Sequence, residues 1–410
     1  MLYNHLSLNT YPSTGDWIMN PLIHSLFIAI LAITLSGCAA MVDSMFNTTY
    51  LDPPYETSEA AAQLHQSLTV IDLHADQLLW NRDLLRRSSR GHVDLPRLLE
   101  GNVALQVFGV VNGVPFPLRM ENNTDKRDLI NTLASMQGWP KETHKSRLQR
   151  ALYQAAKLAD RVQASDGALM LIKSKQDLDR LIQARQRGER TIGAILSLEG
   201  THALEGEVSN IERLYDAGFR MIGLAHLTDN QMAGSAHGSE RHGLTDKGRE
   251  LLKIMMEKNM IIDLAHASEQ TIDDVLAMVD RPVIASHGGV RGTCDIARNL
   301  ADRHVKGIAQ SGGIIGIGVY KYATCGKTLQ DTVEAMRYVR DLVGIEHVAL
   351  GSDFDGFVTA VVDSSGLAML TDALLQGGFN ESEIAAIMGG NAVRVFQQLL
   401  PDAEISALPA

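Results

Sequence analysis

The chain has 410 residues, with 37 Lys and Arg against 48 Asp and Glu and a formal net charge of −11. That balance excludes a nucleic-acid binder, which needs a basic face to meet phosphates, so no nucleic-acid partner is expected. With 45% hydrophobic and 21% charged residues, the composition excludes a wholly disordered, collagen-like or multi-span membrane protein, and three cysteines are too few for a disulfide-built scaffold or a zinc ribbon.

The first element in chain order is the apolar run LFIAILAITL at 26–35. It has the length of a signal-peptide core and falls short of the roughly 20 residues that span a bilayer. Leu35-Ser36-Gly37-Cys38 follows and is similar to a bacterial lipobox. In this reading residues 1–37 are a lipoprotein signal peptide, with Met19 the favoured start. Cys38 is the lipidation site, and Ala39 in place of Asp directs the protein to the outer membrane, facing the periplasm. Residues 38–57, with two prolines and no periodicity, read as a tether, leaving 58–402 as a single folded domain.

Eight short apolar, β-rich runs come next: Thr69–Leu73, Val103–Val111, Thr191–Leu198, Met221–Ala225, Met260–Leu264, Pro282–Ala285, Gly313–Val319 and His347–Gly351. Amphipathic or capped stretches such as Val208–Ala217, Thr245–Lys258, Ser268–Val279 and Leu329–Val343 lie between them. Strand and helix alternating eight times predict an α/β fold, a (β/α)8 TIM barrel. Residues 112–190 form a polar, helical insertion between strands 2 and 3, and helices at Gly366–Gln376 and Ser382–Leu400 close the chain.

In such a barrel the active site is built at the C-terminal ends of the strands. Those ends carry His74 and Asp76, Glu199, His226, His266, His287 and Asp353. A single histidine after an apolar strand is most often a hydrogen-bonded core residue, so the weight rests on convergence at one rim. Imidazole and carboxylate without thiolate suit Zn²⁺ first, with Mn²⁺, Co²⁺ or Fe²⁺ as alternatives. Three histidines and two carboxylates exceed what one open site uses and match two ions about 3.5–4 Å apart.

At these residues the chain resembles the membrane dipeptidase (renal dipeptidase) family of the metal-dependent amidohydrolase superfamily. The matching segments are IDLHAD at 71–76, SLEG at 197–200, GLAH at 223–226, IIDLAHAS at 261–268, PVIASH at 282–287, ARN at 297–299 and GSDFDG at 351–356. The resemblance implies a dinuclear zinc dipeptidase. His74 and Asp76 would bind one Zn²⁺, His266 and His287 the other, and Glu199 would bridge them. His226 would orient the scissile carbonyl, Arg298 would hold the substrate's terminal carboxylate, and Asp353 would carry the proton from the attacking water to the leaving amine. Read alone, Arg298 is more readily a surface salt bridge. Mammalian members have a cysteine pair after strands six and seven, which makes a Cys294–Cys325 disulfide an expectation beside two free thiols. Dimers are common among the relatives, so a homodimer is one assembly the resemblance allows.

The loop after His226, LTDNQMAGSAHGSERHG, contains His237 and His242, which read as exposed loop histidines; His202 reads as a candidate neighbour of the ligands and Asp355 as a buttress for Asp353. Three functions follow. The first is hydrolysis of dipeptides, with tolerance of a D-residue at the C-terminal position. The second is another amidohydrolase-type reaction, on an acylamino acid or a lactone, which would not all need Arg298. The third is a lipoprotein that binds without turnover, for which a proton carrier such as Asp353 has no use.

Overall fold

The computed structural model describes residues 39–403. The signal peptide at 1–37 and Cys38 lie outside them. Each of the eight apolar runs overlaps a strand: β1 (Val70–Ala75), β2 (Val103–Val111), β3 (Ile192–Glu199), β4 (Phe219–Gly223), β5 (Ile261–Asp263), β6 (Ile284–Ala285), β7 (Ile314–Ile317) and β8 (Val348–Leu350). They pair in chain order, all parallel, from β1 to β8.

Successive side chains on a strand point to opposite faces. Ile195, Met221, Ile261, Ile284 and Ile314 from successive strands join one buried cluster, together with Val395 and Phe396 of the helix Asn391–Leu399. That helix closes the N-terminal end of the barrel: Asn391 donates to the carbonyls of Ile345 and Val348, and Arg394 to those of Gly312 and Glu346. The alternate residues, such as Leu196, Leu198, Ile222, Ile262 and Ile315, pack in the larger cluster with Leu251, Ile272, Val305 and Met336 of the surrounding helices.

Backbone pairing is thinnest at two lines around the circumference. Between β5 and β6 one pair of residues is in register, Asp263 with Ile284. Between β8 and β1 the contact is a single bridge, Ala75 with Phe354 just past β8, where the Asp76 amide donates to the Phe354 carbonyl (2.8 Å). Both lines are stitched by the same device. The Asp263 carboxylate accepts the Ser286 amide (2.8 Å) and hydroxyl (2.6 Å), and the Asp72 carboxylate accepts the Ser352 amide (2.8 Å) and hydroxyl (2.6 Å). A buried carboxylate that takes two donors replaces the missing ladder bonds.

The insertion is helical, as expected, at Leu129–Met136, Arg147–Ala164 and Lys175–Gln186, but it also contributes a strand, Leu169–Leu171, that pairs with the first residues of β3. β4 joins β3 only from Leu196 onwards, so this short strand fills the place below it. The tether expectation is corrected. Residues 39–46 are helical, Thr48–Thr49 pairs in parallel with Thr359–Ala360, and Asp43 is buried against Arg82 (3.1 Å) and Arg90 (3.5 Å). A segment this short docks through one buried ion pair and a few strand bonds and needs no amphipathic repeat, which is why its sequence reads as unstructured. Among the described residues no helix is long and apolar enough to cross a membrane.

Candidate metal centre

Every functional side chain anticipated at the strand ends is buried at one end of the barrel. Glu199 is the last residue of β3, His74 lies in β1, and Asp76 follows it by two. His226, His266 and Asp353 each stand three residues past their strands, and His287 two past its own. His266 (φ 62°) and Asp353 (φ 59°) occupy the left-handed region, a strained conformation that accumulates at functional sites.

Glu199 is the hub. Its Oε1 lies 3.2 Å from His266 Nε2, 3.5 Å from His74 Nε2 and 3.7 Å from His287 Nε2, and its Oε2 lies 3.4 Å from His226 Nε2. Asp76 Oδ1 is 3.2 Å from His74 Nε2. Three donor sets result, His74 with Glu199 and His287, Glu199 with His226 and His266, and His74 with Asp76 and Asp353.

These residues fit metal ions by their own bonding. His287 Nδ1 meets the Ser286 hydroxyl (2.9 Å), whose proton is committed to Asp263, so Nδ1 is the donor. His266 Nδ1 meets His237 Nε2 (3.1 Å), and His237 Nδ1 meets the Met120 carbonyl (2.7 Å), which fixes a chain of donors running outward. Both Nε2 atoms are then acceptors, yet they face each other at 2.9 Å. Two lone pairs at that separation require a cation or a proton between them. Both ring nitrogens of His74, Asp76 Oδ1 and Glu199 Oε2 are also buried without a hydrogen-bond partner, a condition that costs free energy unless a ligand satisfies it.

The electrostatics agree. Burial holds His226, His266 and His287 well below the ordinary imidazole range, in the neutral form that binds metals. Burial, with the charge of Asp76, pushes Glu199 well above the carboxylate range. Burial pulls His74 down, but Asp76 and Glu199 reverse this and leave it at about 10. Burial raises Asp353 to about 7 against the opposing charge of His74. In the metal-stripped chain Asp353 therefore keeps its proton when folded and releases it when unfolded. The stability this adds is complete below the ordinary Asp value and is lost as pH rises through about 7. We expect the Asp353→Asn variant, in chelator, to melt progressively higher than the parent as pH is raised from about 5 to 8. A difference in melting temperature that does not change with pH would contradict this.

Arg298 is 9% exposed, donates to the His287 carbonyl (2.8 Å) and forms no salt bridge among the described residues, so the surface-pair alternative falls. Cys294 and Cys325 are joined in a disulfide. His237 corrects the expectation of an exposed loop histidine: it is buried and supports His266. Such partners orient metal-binding imidazoles, and His237→Ala is expected to weaken zinc binding about 10–100-fold, measured by competition with a chromogenic chelator. An unchanged affinity would mean that the contact is incidental. His242 is partly exposed, bonded to the Gly243 carbonyl. His202 is bonded to Thr228 (2.8 Å) and belongs to none of the donor sets. The Asp355 carboxylate does not serve as the expected buttress; it takes Arg82 (2.7 Å) and the amides of His92 and Val93.

Sequence reasoning missed the two remaining strand ends. Asn112, next after β2, donates to the carbonyls of Glu199 (2.8 Å) and Gly200 (2.9 Å). Tyr320, three past β7, is buried and its hydroxyl donates to Asp353. Gly109 in β2 was also unremarked: a Cβ there would stand 2.4 Å from Asp76 Oδ1 and 2.7 Å from His74 Cε1, so the strand must be bare beside the ligands.

Residues 58–405 match the model of the membrane dipeptidase family, peptidase family M19. The chain is 29% identical over 320 residues to dipeptidase tcpJ of Claviceps purpurea, covering 75% of this chain and 69% of that protein. It is 25% identical over 363 residues to dipeptidase 3 of Mus musculus, covering 83% and 66%. Among solved structures, a Rhodobacter sphaeroides metallopeptidase bound to a phosphinate mimic of the dipeptide L-Ala-D-Ala shares the fold with a TM-score of 0.66 at 23% identity, covering 81% of this chain and 99% of that one. The probable dipeptidase PvdM of Pseudomonas aeruginosa does so with a TM-score of 0.69 at 19% identity, covering 83% and 98%. A match over nearly the whole folded region, on a barrel whose rim converges on Glu199, leads to one conclusion: the chain belongs to the membrane dipeptidase family, peptidase family M19, a family of metal-dependent hydrolases acting on dipeptides.

Proposed function

We propose that the protein is a zinc-dependent dipeptidase that cleaves dipeptides with a free C-terminal carboxylate and accepts a D-residue at that end. The observation that carries this is the burial, at one barrel end, of five metal donors beside a proton-carrying carboxyl and an arginine that forms no salt bridge among the described residues. His74 and Asp76, and His266 and His287, would each hold one of two zinc ions, shared through Glu199. The bound ions supply a polarised carbonyl and an acidified water. The L-Ala-D-Ala mimic bound by the Rhodobacter relative supports the D-residue tolerance.

The remaining work falls to the chain itself. Asp353, held by the Tyr320 hydroxyl, accepts a proton from the attacking water and returns it to the departing amine, which leaves only when protonated. His226 lies beside Glu199 (3.4 Å), where it would orient the scissile carbonyl. Arg298 offers a planar fork that grips the terminal carboxylate at two points. Arg298→Lys is expected to raise KM for dipeptides roughly tenfold to a hundredfold, matching the roughly 1.5–3 kcal/mol of a charge-assisted hydrogen bond, with little change in kcat. Equal KM values would point to a substrate lacking the carboxylate.

The test of the whole reading is metal content by mass spectrometry and hydrolysis of L,L and L,D dipeptides on one sample of purified protein. About two zinc ions per chain with chelator-sensitive cleavage supports it. Bound zinc without cleavage of any dipeptide would overturn the substrate assignment. We also infer that Cys38 carries a lipid and that the domain faces the periplasm at the outer membrane. The Cys294–Cys325 disulfide supports an oxidising compartment.

A further inference from the structure

A cavity of about 580 Å³ lies away from the metal centre, and none of the metal donors lines it. Thr69, Asn102 and Arg190, which do, stand just ahead of β1, β2 and β3, so the cavity opens where the strands begin, at the opposite end of the barrel. Its walls are the ends of the helices Glu59–Ser67, Leu95–Glu100 and Lys175–Gln186, the turn after the last of these, and Ala368 near the start of the helix Leu367–Gln376. Its size falls within the roughly 300–1,000 Å³ of small-molecule sites.

The charges that line it do not cancel. Glu100 pairs with Arg87 and Glu189 with Arg187 (2.8 Å), and neither of those arginines lines the cavity. Both carboxylates are therefore neutralised from outside. His65 is kept neutral by burial, its ring nitrogens bonded to the Thr371 hydroxyl (2.8 Å) and the Gly101 carbonyl (2.9 Å). Arg185 and Arg190 remain, and neither forms a salt bridge among the described residues.

Each of these guanidinium groups is fixed along one edge. Arg185 Nη2 donates to the Asn102 backbone carbonyl (3.2 Å) and to Asn102 Oδ1, and Arg190 Nη2 donates to the Leu99 carbonyl. Those contacts cap the end of Leu95–Glu100 with one nitrogen from each arginine. The remaining N–H groups of both have no acceptor among the described residues. Burial, and then the charge of Arg190, hold Arg185 below the ordinary guanidinium range, so the two cations oppose each other. Planar forks already pinned on one edge present the other to oxyanion oxygens with little further loss of side-chain freedom. Two unbalanced charges match a dianion, and Leu68 with the half-buried Ile182 gives the same cavity an apolar wall for an organic body behind the charged head.

We propose that this cavity binds a small molecule carrying a doubly charged oxyanion, either a phosphoryl group or a pair of carboxylates, gripped between Arg185 and Arg190 with its apolar part against Leu68 and Ile182. The site is separate from the reaction at the other end and does not rest on the dipeptidase reading.

The test is calorimetric titration of the full chain, with its bound metal, using inorganic phosphate, succinate and acetate in turn. Parent protein is compared with Arg185→Gln, Arg190→Gln and Ala368→Glu. The last leaves both arginines and their capping bonds in place but puts a carboxylate into the cavity, at a helix start where an acidic residue is tolerated. Phosphate, succinate or both should bind saturably, acetate at least about tenfold more weakly, and each variant should lose about tenfold or more in affinity, the worth of one charge-assisted hydrogen bond. Tighter phosphate assigns a phosphoryl ligand and tighter succinate a dicarboxylate. Dipeptide turnover in the absence of these anions should be the same in all four proteins. Phosphate bound equally by parent and variants belongs to the metal centre and overturns the proposal, as does a dissociation constant above about 10 mM for both dianions. Affinity lost in Arg185→Gln together with a lower melting temperature, but kept in Ala368→Glu, would leave the arginines as helix caps alone and also overturn it.

Discussion

Glu199→Gln is expected to abolish dipeptide hydrolysis, lowering kcat/KM by more than about a thousandfold, or roughly 4 kcal/mol of transition-state stabilisation. Four imidazole Nε2 atoms lie within 3.7 Å of this carboxylate. An amide cannot serve two ions from one charged group, so zinc content measured after dialysis should fall with the activity. Stability in chelator should move the other way. In the metal-free chain Glu199 is a buried carboxyl raised by burial and by the charge of Asp76, and replacing it with a neutral group of the same shape removes that conflict. A variant that keeps full activity would end the assignment of Glu199 as the hub. One that loses activity and also melts lower in chelator would show a structural role instead.

Asp353→Asn carries the second large effect, a fall in kcat of about 10²–10⁴, the usual worth of a positioned acid–base group. An asparagine keeps the bond to Tyr320 but neither takes nor returns a proton. Unlike the change at Glu199, it should leave zinc content intact if the carboxyl acts on protons alone. Comparing kcat with bound metal in the same preparation separates the roles. Zinc lost in step with activity would place Asp353 among the ligands, as its proximity to His74 and Asp76 permits. Full kcat would remove it from the reaction.

What the sequence made legible follows from physical periodicity. A fully buried parallel strand needs a continuous apolar run, so all eight barrel strands stood out, and their ends located the ligands without reference to loops. The run Pro282–Ala285 shortens to Ile284–Ala285 because Pro282 has no amide to donate and the Val283 amide goes to the Ser311 hydroxyl (3.2 Å). The strand Leu169–Leu171 was hidden because three apolar residues among helical segments carry no period of their own. His237 was misread because its loop is polar. Asp229 accepts the backbone amides of Ser235 (2.8 Å), Glu240 (2.8 Å) and Arg241 (3.2 Å). The loop's polar groups therefore satisfy one another and fold it into a compact wall, with His237 inside. Polarity marked that loop as solvated, whereas its hydrogen bonds are internal. Tyr320 and Asn112 are not metal donors, so the residue types that mark a metal site pass over them, although each stands where the strand-end rule places functional groups.

The two lines closed by Asp72–Ser352 and Asp263–Ser286 give the metal centre a mechanical meaning. Local opening begins where backbone bonds are fewest, and these are the hinge lines of the barrel wall. One runs between His74 and Asp353, the other between His266 and His287, so a cation held across either acts as a rivet. Ion release and breathing of the wall become one event, and the Ser286 and Ser352 amides should exchange their hydrogens slowly when the centre is filled and quickly when it is stripped.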